Sequence, residues 1–161
     1  MWKIHKKKTG AFLVFFIIFE KKNFMKPKQT DLLLTGLISV AVAGVHFDYL
    51  PLMPAIALLL ATSIYFIVAR SVRFLTFQTP AARLQAGAYL VFALVTLGMA
   101  RSLPKPEKHW KVILHILLIG YMIFYYFRYR FNDGSEEALS AYRHTFLIFF
   151  LLLLSLGFVF A

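Results

Sequence analysis

The sequence predicts an all-α fold: a polytopic transmembrane helical bundle of about five spans. Sixty per cent of the 161 residues are hydrophobic, and mean hydropathy is +0.71. From Thr30 onward, long apolar stretches carry charge almost only at their ends. A soluble domain needs a far more polar coat, whereas about 20 apolar residues in a helix cross a hydrocarbon core. A transmembrane barrel would alternate apolar and polar residues over about ten positions, and Phe146 to Leu154 shows no alternation. The chain therefore reads as a basic N-terminal tail, residues 1–30, and a five-helix membrane domain, residues 31–161.

In the tail, the first 31 residues hold eight lysines around a short apolar run, Ala11 to Phe19. A basic flank before such a run resembles a signal peptide. Glu20-Lys21-Lys22 follows at once, however, with no small-residue cleavage site, and the run is too short to span. Two readings stay open: an interfacial helix, or upstream sequence ahead of a start at Met25.

Span one is expected from about Asp31 to Val45, capped by Thr30 or Asp31, and His46-Phe47-Asp48-Tyr49 forms a tight turn. Span two follows from Leu50 to Ala69, with Pro51 and Pro54 in its first turns, where proline costs little. Thr79 caps span three and Pro80 opens it; the span ends near Ala100. Pro106 and Glu107 open span four, whose apolar part is Trp110 to Phe127. Asn132-Asp133-Gly134 reads as a turn, and Asp133 or Ser135 caps the last helix. Glu136 and Glu137 suit the positive end of its dipole, and its membrane part is Thr145 to Phe160.

Lys and Arg set the orientation, because they are retained on the cytoplasmic side. With five spans and a cytoplasmic N-terminus, fourteen fall inside: eight in the tail, then Arg70, Arg73, Arg83, Arg128, Arg130 and Arg143. Four fall outside, at Arg101, Lys105, Lys108 and Lys111. If Ala11 to Phe19 also spanned, the tally would become eight against ten and the bias would vanish. The N-terminus is thus placed in the cytoplasm and the C-terminus on the outer side. The basic loop 101–111 stands as an unexplained departure.

A net charge of +11 would indicate nucleic acid in a soluble protein. At helix ends, the partner it implies is the lipid bilayer and its anionic head groups instead. Without cysteine there is no disulfide, thiolate nucleophile or Cys-ligated metal.

Lipid is as apolar as leucine, so helices associate through close backbone approach. Small residues should mark the contact faces: Gly36, Ser39, Ala43 and Gly44 on span one, and Ala57 and Ala61 on span two. Ala86, Ala93 and Ala100 recur on span three, and Gly157 lies near the end of the last. Bulky Phe149 to Leu154 is expected to face lipid, leaving spans one to three as the core. The same small-residue faces would serve self-association equally well. Tyr125, Tyr126, Tyr129 and Trp110 read as interfacial aromatics.

An ionisable group at membrane depth is a functional candidate by default, and no Asp, Glu, Lys or Arg falls mid-span in this threading. A proton- or sodium-coupled carrier is therefore disfavoured. His115 is the one histidine within a span and reads as a bond to a neighbouring helix in preference to a ligand role. His46, Asp48, Glu107 and His109 share the outer loops and could converge on a metal or on acid–base chemistry. Their spacing matches no ligand motif, and ordinary turn residues are the simpler reading. A haem between His46 and His115 is conceivable geometrically but has no other support. No nucleophile elbow, phosphate loop or metalloprotease helix occurs, and no cofactor is called for.

These readings favour a non-enzymatic membrane protein acting through helix contacts, as an accessory or assembly subunit with a membrane-protein partner or as a homo-oligomer. A small oligomeric facilitator of an uncharged or lipidic solute, lined by Ser39, Thr62, Ser63, Tyr89 and Thr96, is the first alternative. A head-group enzyme using His46, Asp48 and His109 is the second.

Overall fold

The computed structural model describes residues 27–76, 80–131 and 136–161, apart from the side chains of Pro27, 129–131 and 136–141. The chain divides into two compact units, Met1–Thr30 and Asp31–Ala161, and the second holds the helix bundle. The expected short apolar segment Ala11 to Phe19, the Thr79 cap and the 132–135 turn and cap lie outside the described residues.

Among the described residues five helices follow one another: α1 (Pro27–His46), α2 (Leu52–Leu75), α3 (Pro80–Ser102), α4 (Lys108–Phe131) and α5 (Glu136–Val159). No strand occurs among the described residues. Each helix is long and apolar enough to cross a membrane. Their pairings fix an up-and-down arrangement. Asp31 meets Tyr65 while Gly44 meets Leu50, so α1 and α2 are antiparallel. Ser63 bonds the Ala93 carbonyl and Ser71 that of Ala86, which makes α2 and α3 antiparallel too. Gly87 packs on Tyr121 and Gly98 on Leu114, so α4 runs against α3. Phe92 meets Phe149 and Gln85 meets Thr145, so α5 runs with α3.

The hub is α3, with 61% of its apolar window buried against 17% for α4. Small residues allow this. Ala82, Ala86, Ala93 and Ala100 are buried on α3, and a side chain at Gly98 would run into Leu114. Phe92 and Tyr89 fill the centre, in ring contact with Phe66 of α2.

Several expectations need correction. The last helix is not the peripheral one: Ile148, Phe149 and Leu152 are completely buried, because α5 lays one face of its bulky run against α3. Ala57 and Ala61 are exposed; α2 packs instead through Ala55, Leu59 and Phe66. Gly36 and Gly157 have nothing near the position of a Cβ, while Gly44 lies against the Leu50 side chain. Ala43 is half-buried. Asp31 lies inside α1 and does not cap it, and α4 opens at Lys108, just after Pro106 and Glu107.

The largest departure is in α2, which continues past Ala69 to Leu75. It does so through a π-helical turn, Phe66–Ser71, where the Val72 N–H reaches back five residues to the Ile67 carbonyl. The wider turn brings both Arg70 and Ser71 to the packed face, and both are buried.

Gly98→Val should push α4 off α3 and lower stability by about 1–3 kcal/mol. Gly36→Ala should be neutral or slightly stabilising. Unfolding in mixed detergent–dodecyl sulfate micelles reads both; equal effects would mean that α3 and α4 are not in the contact described.

Candidate functional site

Five polar side chains from four helices meet near the end of the bundle where α1 begins. Asp31 of α1 is the centre and is completely buried; Tyr65, the most exposed of the five, is 9% exposed. The Tyr65 hydroxyl donates to Asp31 Oδ1 at 2.9 Å. Three donors converge on Oδ2: the Tyr89 hydroxyl at 2.5 Å, Arg70 Nη2 at 2.8 Å and His144 Nε2 at 3.2 Å. An ionised carboxylate has about four acceptor positions; one donor reaches Oδ1 and three crowd Oδ2. The carboxylate accepts only, so the proton of His144 sits on Nε2.

Arg70 is held on more than one side. Its Nη2 also donates to the Tyr89 hydroxyl at 3.1 Å. Its Cζ lies 4.8 Å from the Tyr89 ring centroid and 5.2 Å from that of Phe74, a cation–π geometry. The Asp31 carboxylate and the Arg70 guanidinium offset one another's charge, as a low-dielectric interior requires. Arg70 Nε alone is buried with no partner.

A second polar layer lies beside it. Gln85 of α3, one turn before Tyr89, donates from Nε2 to the Tyr125 hydroxyl of α4 and accepts from Thr145 of α5 at 3.1 Å. Tyr125 is stacked on Tyr142 with centroids 6.0 Å apart, and Tyr121 donates to the Leu84 carbonyl at 2.9 Å. Between them the two layers tie all five helices together. Further along, Ser39 and Ser155 join α1 to α5 at 2.9 Å.

The loop candidates from the sequence are placed elsewhere. The His46 ring packs on Phe47 and Phe158. Asp48 takes a positive φ of 60° in the turn after α1. His109 is exposed and pairs with Glu107 at 3.0 Å. The His115 Nδ1 atom contacts the Lys111 carbonyl of its own helix at 2.7 Å, not a neighbouring helix, and its ring lies 6.3 Å from Phe160. Among the described residues, no three His, Cys, Asp or Glu side chains are arranged to hold a metal ion.

Sequence reasoning missed Asp31, Tyr65, Arg70, Tyr89 and His144. It assigned Asp31 to a cap, Arg70 to a loop and Tyr89 to a lumen, and began the last span at Thr145, one residue after His144. A signal existed in the helical spacing. Asp31 lies four and seven residues before Thr35 and Ile38 on the buried stripe of α1, and Arg70 lies four after Phe66 on that of α2.

Chemically, the cluster can hold charge, but its reactive atoms are closed to bulk solvent, and the Asp31 carboxylate already accepts from four donors. It is suited to joining helices more than to turning over a substrate. No family model, curated protein or solved structure matches the chain.

Asp31→Leu or Arg70→Met alone should cost about 3–5 kcal/mol, because each strands a buried charge. The double variant, which strands none, should recover more than half of the summed loss. Simple additivity in the same micellar unfolding assay would show that the two charges do not depend on one another.

Proposed function

We propose that the chain is an integral membrane protein whose five helices cross the bilayer, acting through contacts of its outer helix faces as an accessory or assembly subunit or as a self-associating unit. One observation carries the reading: interior polar groups are bonded to one another across helices, while the outward faces are apolar. Val40, Met53, Ile64, Leu94, Val112 and Ile116 are all substantially exposed. A water-soluble monomer does not present apolar surface on every side, whereas lipid or a partner helix covers it at no cost.

The same bonding weakens the facilitator reading. Ser39, Thr62, Ser63, Tyr89 and Thr96 are buried, and each bonds another helix or its own backbone, which suits packing better than lining an aqueous path. One observation does favour a second reading, a proton-linked carrier: the objection to it was the absence of charge within the spans, and Asp31 and Arg70 remove that objection.

The orientation is part of the proposal. With Arg70 set aside as paired, thirteen of the remaining cations lie on the side assigned to the cytoplasm and four on the other. This supports a cytoplasmic N-terminus.

The chain has no cysteine, so single cysteines at Tyr49, Thr76 and Lys105 can be labelled cleanly with an impermeant maleimide in whole cells. Position 76 should stay protected while 49 and 105 react, and the reverse pattern would invert the orientation. Extraction in mild detergent should yield a complex or an oligomer. A strictly monomeric protein with no partner, which moves protons in proteoliposomes, would replace the subunit reading with the carrier one.

A further inference from the structure

At the other end of the bundle, where α3 ends and α4 begins, two buried donors have no partner: the Ser102 hydroxyl and the Trp110 indole N–H. Native proteins rarely leave such groups unsatisfied, so each calls for an explanation. The helix register brings them together. Gly98 and Leu114 face each other across the antiparallel α3–α4 pair. Four residues further along α3 and four earlier on α4, one turn in each, Ser102 comes opposite Trp110. Arg101 fits this register, its Cζ lying 5.2 Å from the Trp110 ring centroid.

The charge at this corner points the same way. Residues 101–111 carry Arg101, Lys105, Lys108 and Lys111 against one carboxylate, Glu107, which is paired with His109. The first turn of α4 adds the positive end of its dipole. This is the basic loop that the cytoplasmic bias of Lys and Arg does not account for.

We propose that this corner binds the phosphate group of a membrane lipid. The inference rests on the reading that the helices cross a bilayer. Ser102 ends one apolar helix window and Trp110 lies near the start of the next, Pro80–Ser102 and Lys108–Arg128, the level at which head groups lie. Phosphate oxygens accept from Ser102 Oγ and Trp110 Nε1, and the planar Arg101 guanidinium moves from the indole face onto the anion. Arg101 is exposed, so its side chain can lift to admit the ligand. The cations of loop 101–111 then serve a bound anion and carry no topological signal.

The test uses the full chain in a non-ionic detergent, with Trp2→Phe leaving Trp110 as the only indole. Adding dioleoylphosphatidylglycerol should give a saturable change in Trp110 emission and a lipid adduct in native mass spectrometry. Dioleoylglycerol, which lacks the phosphate, and sodium phosphate at the same concentrations should give neither. Ser102→Ala and Arg101→Gln should each weaken binding about tenfold. Lys105→Gln, at an exposed position, should weaken it about fivefold. An equal response to dioleoylglycerol would overturn the site as a phosphate seat, and an equal response to free phosphate would make it a soluble-anion site. No response to any of the three would leave the two donors to a buried water only. A protein dispersed in buffer without detergent would defeat the membrane reading itself; one that needs detergent but ignores the lipid would defeat only the site.

Discussion

A carboxylate and a guanidinium 2.8 Å apart, neither open to solvent, set the terms for one end of this bundle. Two bare charges in an apolar interior are prohibitive, and a pair is tolerable only when the remaining hydrogen-bonding positions are also filled. The surrounding sequence does most of that, although Arg70 Nε is left without a partner. Tyr65, Tyr89 and His144 complete Asp31, while Tyr89 and Phe74 present ring faces to Arg70. Each supporting residue comes from a helix that must therefore keep its rotation and depth. The pair thus specifies an arrangement more than it adds stability, since well-packed apolar residues of the same volume often do as well energetically.

The π-turn in α2 follows from that demand. A helix that stayed strictly α through Ser71 would turn Arg70 and Ser71 to different faces. The extra residue lets Arg70 reach Asp31 while Ser71 bonds the Ala86 carbonyl. From there α3 acts as the spine, because alanines and Gly98 bring its backbone near three other helices. If the helices cross a bilayer, where interhelical hydrogen bonds average only about 0.6 kcal/mol each, none of the serine or glutamine links is decisive alone. Their combined effect is register.

The all-helical class and the five long apolar helices were legible in the sequence because helix length and apolar content are local properties. The third helix was legible in more detail, its alanines recurring on one face. Contacts that depend on rotation were not. Ala57 and Ala61 keep helical spacing but face outward, since Leu59 and Phe66 on the neighbouring stripe fill the interior better. Phe149 to Leu154 is bulky on all sides, so composition could not say which residues turn inward. Asp31 and Arg70 stand 39 positions apart, and each alone resembles an ordinary helix-end charge. Only the structure pairs them. The orphaned donors Ser102 and Trp110 are likewise visible only through the α3–α4 register.

Hydrocarbon around the outer faces is what would make pairing obligatory for Asp31 and Arg70, and it can be measured directly. Spin labels at Leu94 and Ile116, 45% and 67% exposed, introduced into this cysteine-free chain in liposomes, report their surroundings by collision. Frequent collision with molecular oxygen and little with a nickel chelate is the predicted result. Ready access of the nickel chelate at both positions would place these faces in water and contradict the account.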